Sequence, residues 1–285
     1  MLRSLFAGIS GLRVNQTMLD VTGNNIANAN TTGYKASTTV FQDTLSQMMA
    51  GGTAANAERG GTNPVQVGLG VQLSATSTNF GQGSAQMTGR NTDLMLQGDG
   101  FFVVQRGNEQ MYTRAGAFTF DETGTLVTNS GARVQGYNIN PDGTTDMAGG
   151  LVDITMNPTV ITPPLAGATL NSFSFGSDGT LRGVFSDGVQ RDMGRLALVD
   201  FNNPMGLEKI GETAFRASAN SGAPIPGVPG EGGGATVMAG ALEMSNVELA
   251  SEFTNLILAQ RGFQASSRVI TTSDQVLEEL VNIKR

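Results

Sequence analysis

The sequence predicts an α+β fold: helices at the two chain ends pair as a coiled-coil-like inner layer, with a mainly antiparallel β domain between them. Three observations predict it. Apolar residues recur at alternating spacings of four and three near both ends. Short β-prone runs bounded by glycine turns fill the middle. The 285 residues include 39 glycines and only 14% charged residues, which suits strands, turns and dry subunit contacts better than a helical bundle.

Taken in order, Leu5, Ile9, Leu12, Gln16 and Leu19 form the first seam, with one polar member. It runs into Leu19-Asp20-Val21-Thr22-Gly23-Asn24-Asn25-Ile26-Ala27-Asn28-Ala29-Asn30-Thr31-Thr32-Gly33-Tyr34-Lys35. Asparagine favours caps and turns, and Gly23 costs about 1 kcal/mol inside a helix. Two readings stand. The amides of Asn24, Asn25, Asn28 and Asn30, flanking Ile26, bridge to neighbouring chains, each offering donors and an acceptor. Alternatively, a frayed helix end runs into a loop that reverses at Gly33. Phe41 and Leu45 follow at F-x-x-x-L spacing, as an apolar pair on a short helix would.

Residues 51–70, rich in Gly, Ala, Asn and Thr, read as a linker arm. Strand signals begin at Phe101-Phe102-Val103-Val104, set off by Gly98-Asp99-Gly100, and continue through Tyr112 to Phe120. An echo follows: Phe118-Thr119-Phe120…Gly124-Thr125-Leu126 recurs as Phe173-Ser174-Phe175…Gly179-Thr180-Leu181, each copy a hairpin with glycine at its tight turn. Residues 221–234, with Pro224, Pro226, Pro229 and a triple glycine, read as a second arm.

The C-terminal segment repeats the seam at greater length: Leu249, Phe253, Leu256, Gln260, Phe263, Ser267, Ile270, Asp274, Leu277 and Val281. Ser245 with Glu248 forms a capping box ahead of it. The domain plan is 1–30 with 242–285 for the helices, 31–70 with 221–241 for the arms, and 71–220 for the β domain. The apolar gain along such a seam is smaller than the cost of ordering its backbone, so both ends are expected to fold on assembly.

Composition also excludes function classes. Net charge is −7 and only Lys35, Lys209 and Lys284 are lysines, so no basic cluster serves nucleic acid or an anionic membrane surface. Without cysteine or histidine, neither an ordinary zinc site nor a Ser-His-Asp or Cys-His device can be built. No cofactor, metal or catalytic residue is assigned. Arg3 precedes an apolar stretch and Ala27-Asn28-Ala29 has an A-x-A form, but Arg13 and Asp20 intervene, so a cleaved signal peptide is not expected. No apolar run is long enough to insert in a membrane. Gly68-Leu69-Gly70 lacks the rest of a dinucleotide fingerprint. Asp121 with Glu122 could pose as a glycosidase pair, but they lie in a turn template, and Asp142, Asp178 and Asp187 precede glycines as turn residues do.

The asparagine-rich string resembles the N-terminal signature of flagellar rod and hook proteins. The opening Met1-Leu2-Arg3-Ser4-Leu5-Phe6-Ala7-Gly8-Ile9-Ser10-Gly11-Leu12 resembles the hook version. So do Gly240-Ala241-Leu242-Glu243-Met244-Ser245-Asn246-Val247, Gln260-Arg261-Gly262-Phe263-Gln264-Ala265 and Leu280-Val281-Asn282-Ile283-Lys284-Arg285. Residues 93–102 and 112–118 fit as well, and the resemblance spans nearly the whole chain in order.

The resemblance implies a structural subunit of the bacterial flagellar hook, not an enzyme, polymerising into a hollow, bendable joint between rod and filament. Its partners would be copies of itself, flagellar rod, hook-cap and hook–filament junction proteins, and the type III export apparatus, through which it passes uncleaved. Leu5, Ile9, Leu12, Leu19, Leu249, Phe253, Leu256, Phe263, Ile270, Leu277 and Val281, with the asparagine-rich segment and Gly33, would form the assembly interface. Phe41 and Leu45 would contact the export gate. In this family residues 71–220 correspond to the first outer domain, and 147–171 are a short insertion where hook proteins carry a further domain. That shortness keeps a distal-rod subunit as the alternative. A secreted carbohydrate-active enzyme with two carboxylates is the remaining reading.

Overall fold

The computed structural model describes residues 2–55, 60–140, 144–147, 149–156, 169–230 and 234–283. The predicted α+β class holds, and the chain divides into two compact units. One comprises Met1–Ala27, Ser37–Asn79 and Val247–Arg285; the other comprises Asn28–Ala36 and Phe80–Asn246.

The first unit is built on helices α1 (Leu2–Ala27) and α2 (Leu249–Ile283). Helix α1 runs unbroken across Gly23, Asn24 and Asn25, where buried hydrogen bonds of Asn25, described below, offset its weak helix propensity. It ends at Ala27 and enters a loop with Gly33 at φ +69°, so only the fraying, not the helix end and its glycine turn, is corrected. Helix α2 begins at Leu249, where the Glu252 N–H donates to the Glu248 carbonyl at 3.0 Å. The cap therefore sits at Glu248, and the Ser245 capping box is corrected. Ser245 lies in the non-helical stretch between the strand Ala241–Glu243 and the helix.

Ser37–Asp43 pairs antiparallel with Val71–Thr78, Ser46–Ala50 pairs with Val65–Gly68, and Thr53 bridges Thr62. The described residues between 37 and 78 thus pair as a two-stranded ribbon, where a linker arm was expected over 31–70. The pair Phe41 and Leu45 is corrected with it. Phe41 lies in a strand and Leu45 just beyond its end, because Thr38, Thr39 and Val40 are β-branched and disfavour a helix there. The Val71 N–H donates to Ser10 Oγ on α1 at 3.3 Å. Gly70, with φ +128°, leaves no room for a Cβ beside Ser10.

The second unit centres on an antiparallel sheet. Its main path runs through Leu170–Phe175, Thr180–Phe185, Gln190–Leu196, Arg133–Ile139, Phe101–Arg106, Glu109–Thr113, Ala214–Arg216 and Glu208–Gly211. Phe101–Val104 reads as a continuous apolar run because both its faces are covered. Phe102 and Val104 point into a core with Leu94, Phe118, Leu126, Leu181 and Leu196; Phe101 and Val103 point into a second with Tyr112, Val199, Phe201 and Phe215. Both copies of the echoed template form hairpins. Phe120 pairs with Leu126 and Phe175 with Leu181, with Gly124 and Gly179 at positive φ, and the Phe120 and Phe173 rings meet edge-on.

Asp121 accepts the N–H groups of Thr123 and Thr125, Asp178 that of Thr180 and Asp187 that of Val189, as turn residues do. Asp142 lies outside the described residues, as do 157–168 of the short insertion. Val152–Asp153 and Ile154, which the plan assigned to that insertion, instead join the sheet and the core. The second expected arm is also partly sheet, since Ile225–Gly227 pairs with Leu198–Asp200. No described helix is long and apolar enough to cross a membrane.

Candidate assembly interface

The α1–α2 contact is lined by small residues. A Cβ added to Gly8 would sit 3.0 Å from Ile270 Cγ1, one added to Gly11 would sit 2.8 Å from Ser266 Oγ, and one on Gly262 would collide with the Asn15 side chain. The Asn25 amide reaches Glu252. Facing residue numbers therefore sum to 277 or 278, so the helices run antiparallel in near-constant register. Glycine and serine at these points let the backbones approach more closely than leucine would allow.

Asn25 closes the seam at one end. Its Nδ2 donates to the Ser37 carbonyl at 2.7 Å and to Glu252 Oε1 at 3.1 Å, while its Oδ1 accepts the Ser37 N–H at 3.0 Å. At 1% exposure the amide is used within its own chain. Bridging to a neighbour is therefore corrected for Asn25: one residue ties α1, α2 and the ribbon together. Asn24 and Asn30 lie on the surface, and Asn28 Oδ1 accepts the Thr31 hydroxyl at 3.0 Å.

The seam residues named from sequence divide into two sets. Leu5, Leu12, Leu19, Ile26, Leu256, Ile270 and Leu277 are half-buried. Ile9, Leu249, Phe253, Phe263 and Val281 are exposed, joined by Ile257 and Leu258 at 56% and 60%. Helix α2 thus carries two stripes: a small-residue stripe spent on α1 and a large apolar stripe left to solvent. Covering what remains exposed of each such side chain is worth about 1 kcal/mol, roughly half the value of a full burial. The ribbon adds Leu45 at 82% and Met49 at 65%, while Phe41 is half-buried.

Gly33 is also corrected as a neighbour contact. It is buried with φ +69°, its N–H donates to the Glu243 carbonyl at 2.8 Å, and a Cβ there would strike the Ala115 backbone. Only glycine fits this close approach. Two residues on, Lys35 Nζ meets Glu243 Oε1 at 2.5 Å with both side chains fully buried, and the Gly83 N–H donates to the same oxygen at 2.8 Å. Arg114 Nη1 lies 3.7 Å from Glu243 Oε2, close enough for attraction but too far for a hydrogen bond. Burial pulls Lys35 below the ordinary lysine range, against the opposing bond from Glu243, and burial lowers Arg114 likewise. This lock holds the segment Asn28–Ala36 to the strand that precedes α2.

Sequence reasoning missed Asn15, Gly262, Ser266 and the Lys35–Glu243 pair. Gly8 and Gly11, and Ala259, Gly262 and Ser266, recur at helical spacings of three and four, so a periodicity of small residues could have signalled the first group.

Three family models match the chain. One described as flagella basal body rod protein matches residues 5–35, one described as flagellar hook protein FlgE/F/G D1 domain matches 95–183, and one described as flagellar basal body rod FlgEFG protein C-terminal matches 238–283. The flagellar basal-body rod protein FlgG of Bacillus subtilis is 48% identical over 286 residues, covering 100% of both chains. The flagellar hook protein FlgE of Borreliella burgdorferi is 30% identical over 441 aligned residues, again covering 100% of both. The hook protein of Helicobacter mustelae is 50% identical over 140 residues, 48% of this chain and 31% of its own.

Proposed function

Since the chain belongs to the flagellar basal-body rod and hook protein family, whose members are structural and not enzymes, we propose that it is a rod-type subunit polymerising into a straight, hollow segment. The observation that carries the rod reading is length. Alignment with the rod relative closes over 286 residues, whereas alignment with the full-length hook relative opens to 441. The described residues likewise include no further domain between Val152–Asp153 and Leu170–Phe175. Polymerisation uses the outward stripe of α2 and the exposed ribbon, surfaces that a monomer would otherwise leave in water.

The hook reading keeps one favourable observation: the 50% identity to a hook protein over about half the chain. Under either reading the chain works in the flagellar basal body or hook. Its further partners are adjoining axial proteins, including hook-cap and hook–filament junction proteins, and the export apparatus, with Phe41 and Leu45 as the contact to the export gate. Electron microscopy of the purified protein concentrated in sulfate, which strengthens apolar burial, tests the choice. Straight tubes are expected, curved or supercoiled tubes would establish the hook instead, and a persistently monomeric protein would remove both. Replacing Phe41 and Leu45 with alanine is expected to reduce export while tubes form normally; unchanged export would remove that contact.

A further inference from the structure

Helix α2 is longer than its partner, 35 residues against 26. Because facing residues sum to 277 or 278, the first residue of α1 lies opposite residue 275 or 276, and the last two turns of α2 extend past it by about 12 Å. On this overhang Val276, Leu280 and Ile283 follow at i, i+4 and i+7, and they are 46%, 49% and 81% exposed. Glu279 borders that stripe, three residues after Val276 and four before Ile283. Lys284 and Arg285 follow outside the described residues.

The same unit carries a groove of about 540 Å³ between α1 and the ribbon. Phe6, Ile9, Leu69 and Leu73 supply its exposed apolar walls, and Arg13 is its one charged lining residue. Neither Arg13 nor Glu279 has an ion-pair partner among the described residues.

We infer that the α2 overhang of one copy seats in the α1–ribbon groove of the next, with its apolar stripe on Phe6 and Ile9 and Glu279 against Arg13. The overhang cannot fill its own groove. Ile9 faces residues 268–269 of its own α2, and Leu280 lies a further eleven or twelve residues along the helix, about 17 Å away. Stripe and groove are different surfaces of one chain, so the contact is heterologous and, where its rotation does not close a ring, extends into a filament. The inference rests on the polymer reading and specifies which surfaces meet.

The chain has no cysteine, so the double variant Ile9→Cys/Leu280→Cys reports the contact directly. Oxidised under assembly conditions, it is expected to give a ladder of covalent multimers, while Ile9→Cys alone gives none. Tubes without a ladder would overturn the contact and leave the polymer reading standing. Neither ladder nor tubes, from wild type as well, would overturn both. A charge exchange gives a second reading. Arg13→Glu and Glu279→Arg should each raise the concentration needed for assembly about tenfold, and their combination should return it to within roughly threefold of wild type. A combined variant no better than either single one, with helical content intact, would refute the pairing.

Discussion

The buried amide of Asn25 permits a quantitative test of how the helical unit is held. Asn25→Ala removes three hydrogen bonds, two to the Ser37 backbone and one to Glu252. At a net of about 0.5–1.5 kcal/mol each, the loss should be about 2–4 kcal/mol, or one and a half to three decades in the folding constant. Asn25→Asp preserves shape but sets a second carboxylate against Glu252 and removes the donor to the Ser37 carbonyl, so it should cost at least as much at neutral pH. The new carboxyl would hold its proton more tightly in the folded state than in the unfolded one. Its penalty should therefore shrink as pH falls from about 7 to about 5. Adding Glu252→Gln to Asn25→Asp restores a donor between the two positions and should recover about half of the loss. Urea unfolding followed by far-ultraviolet circular dichroism reads these differences, because the two long helices dominate the signal. An Asn25→Ala variant within about 0.5 kcal/mol of wild type would refute the reasoning. So would a double variant no more stable than Asn25→Asp.

Three further outcomes follow from the same structure. Gly11→Leu, which must part the helices at Ser266, should cost about 1–3 kcal/mol in the same unfolding assay and abolish tubes by electron microscopy. Lys35→Met strands the buried Glu243 carboxylate and should cost about 3–5 kcal/mol, whereas combining it with Glu243→Leu should cost less, as read by thermal unfolding. Burial pushes the Asp178 carboxyl up, but the Thr180 hydroxyl and N–H and the Arg182 guanidinium together hold it below its ordinary 3.8. Its stabilisation is therefore present above that value and lost as pH falls through the window below it. Asp178→Asn should weaken the protein near neutrality and match wild type in strong acid, which a pH series of melting temperatures would check.

The β unit was largely legible because its signals are local. Glycine at Gly124 and Gly179 sets the turns, and the apolar run Phe101–Val104 marks a strand covered on both faces. The presence of two end helices was equally plain from their spacing, but the face each turns inward was not. A seam drawn through the largest apolar side chains includes half-buried Leu256, Ile270 and Leu277 but also exposed Leu249, Phe253, Phe263 and Val281. Here the inward positions went to Gly8, Gly11, Gly262 and Ser266, because close approach of two backbones needs the absence of side chains. The asparagine string was recognised as unusual, yet its key partners, Ser37 and Glu252, are 12 and 227 residues away from Asn25. The Lys35–Glu243 pair spans 208 residues, a separation that local periodicity cannot register.

The order in which the two units use the chain bears on when a subunit becomes fit to join others. Residues 80–246 of the sheet unit form one uninterrupted stretch, whereas the helical unit is gathered from three pieces, the last starting at Val247. Every partner of α1 on α2 thus arrives after the whole sheet segment has been made, and closing so long a loop depends on that final piece. A chain terminated between Thr78 and Leu249 retains α1 and the ribbon but has nothing to cover Gly8 and Gly11, and its Asn25 amide loses Glu252. An unfinished chain therefore lacks both the α1–α2 contact and the outward stripe of α2, and the helical unit cannot close until the last segment is present.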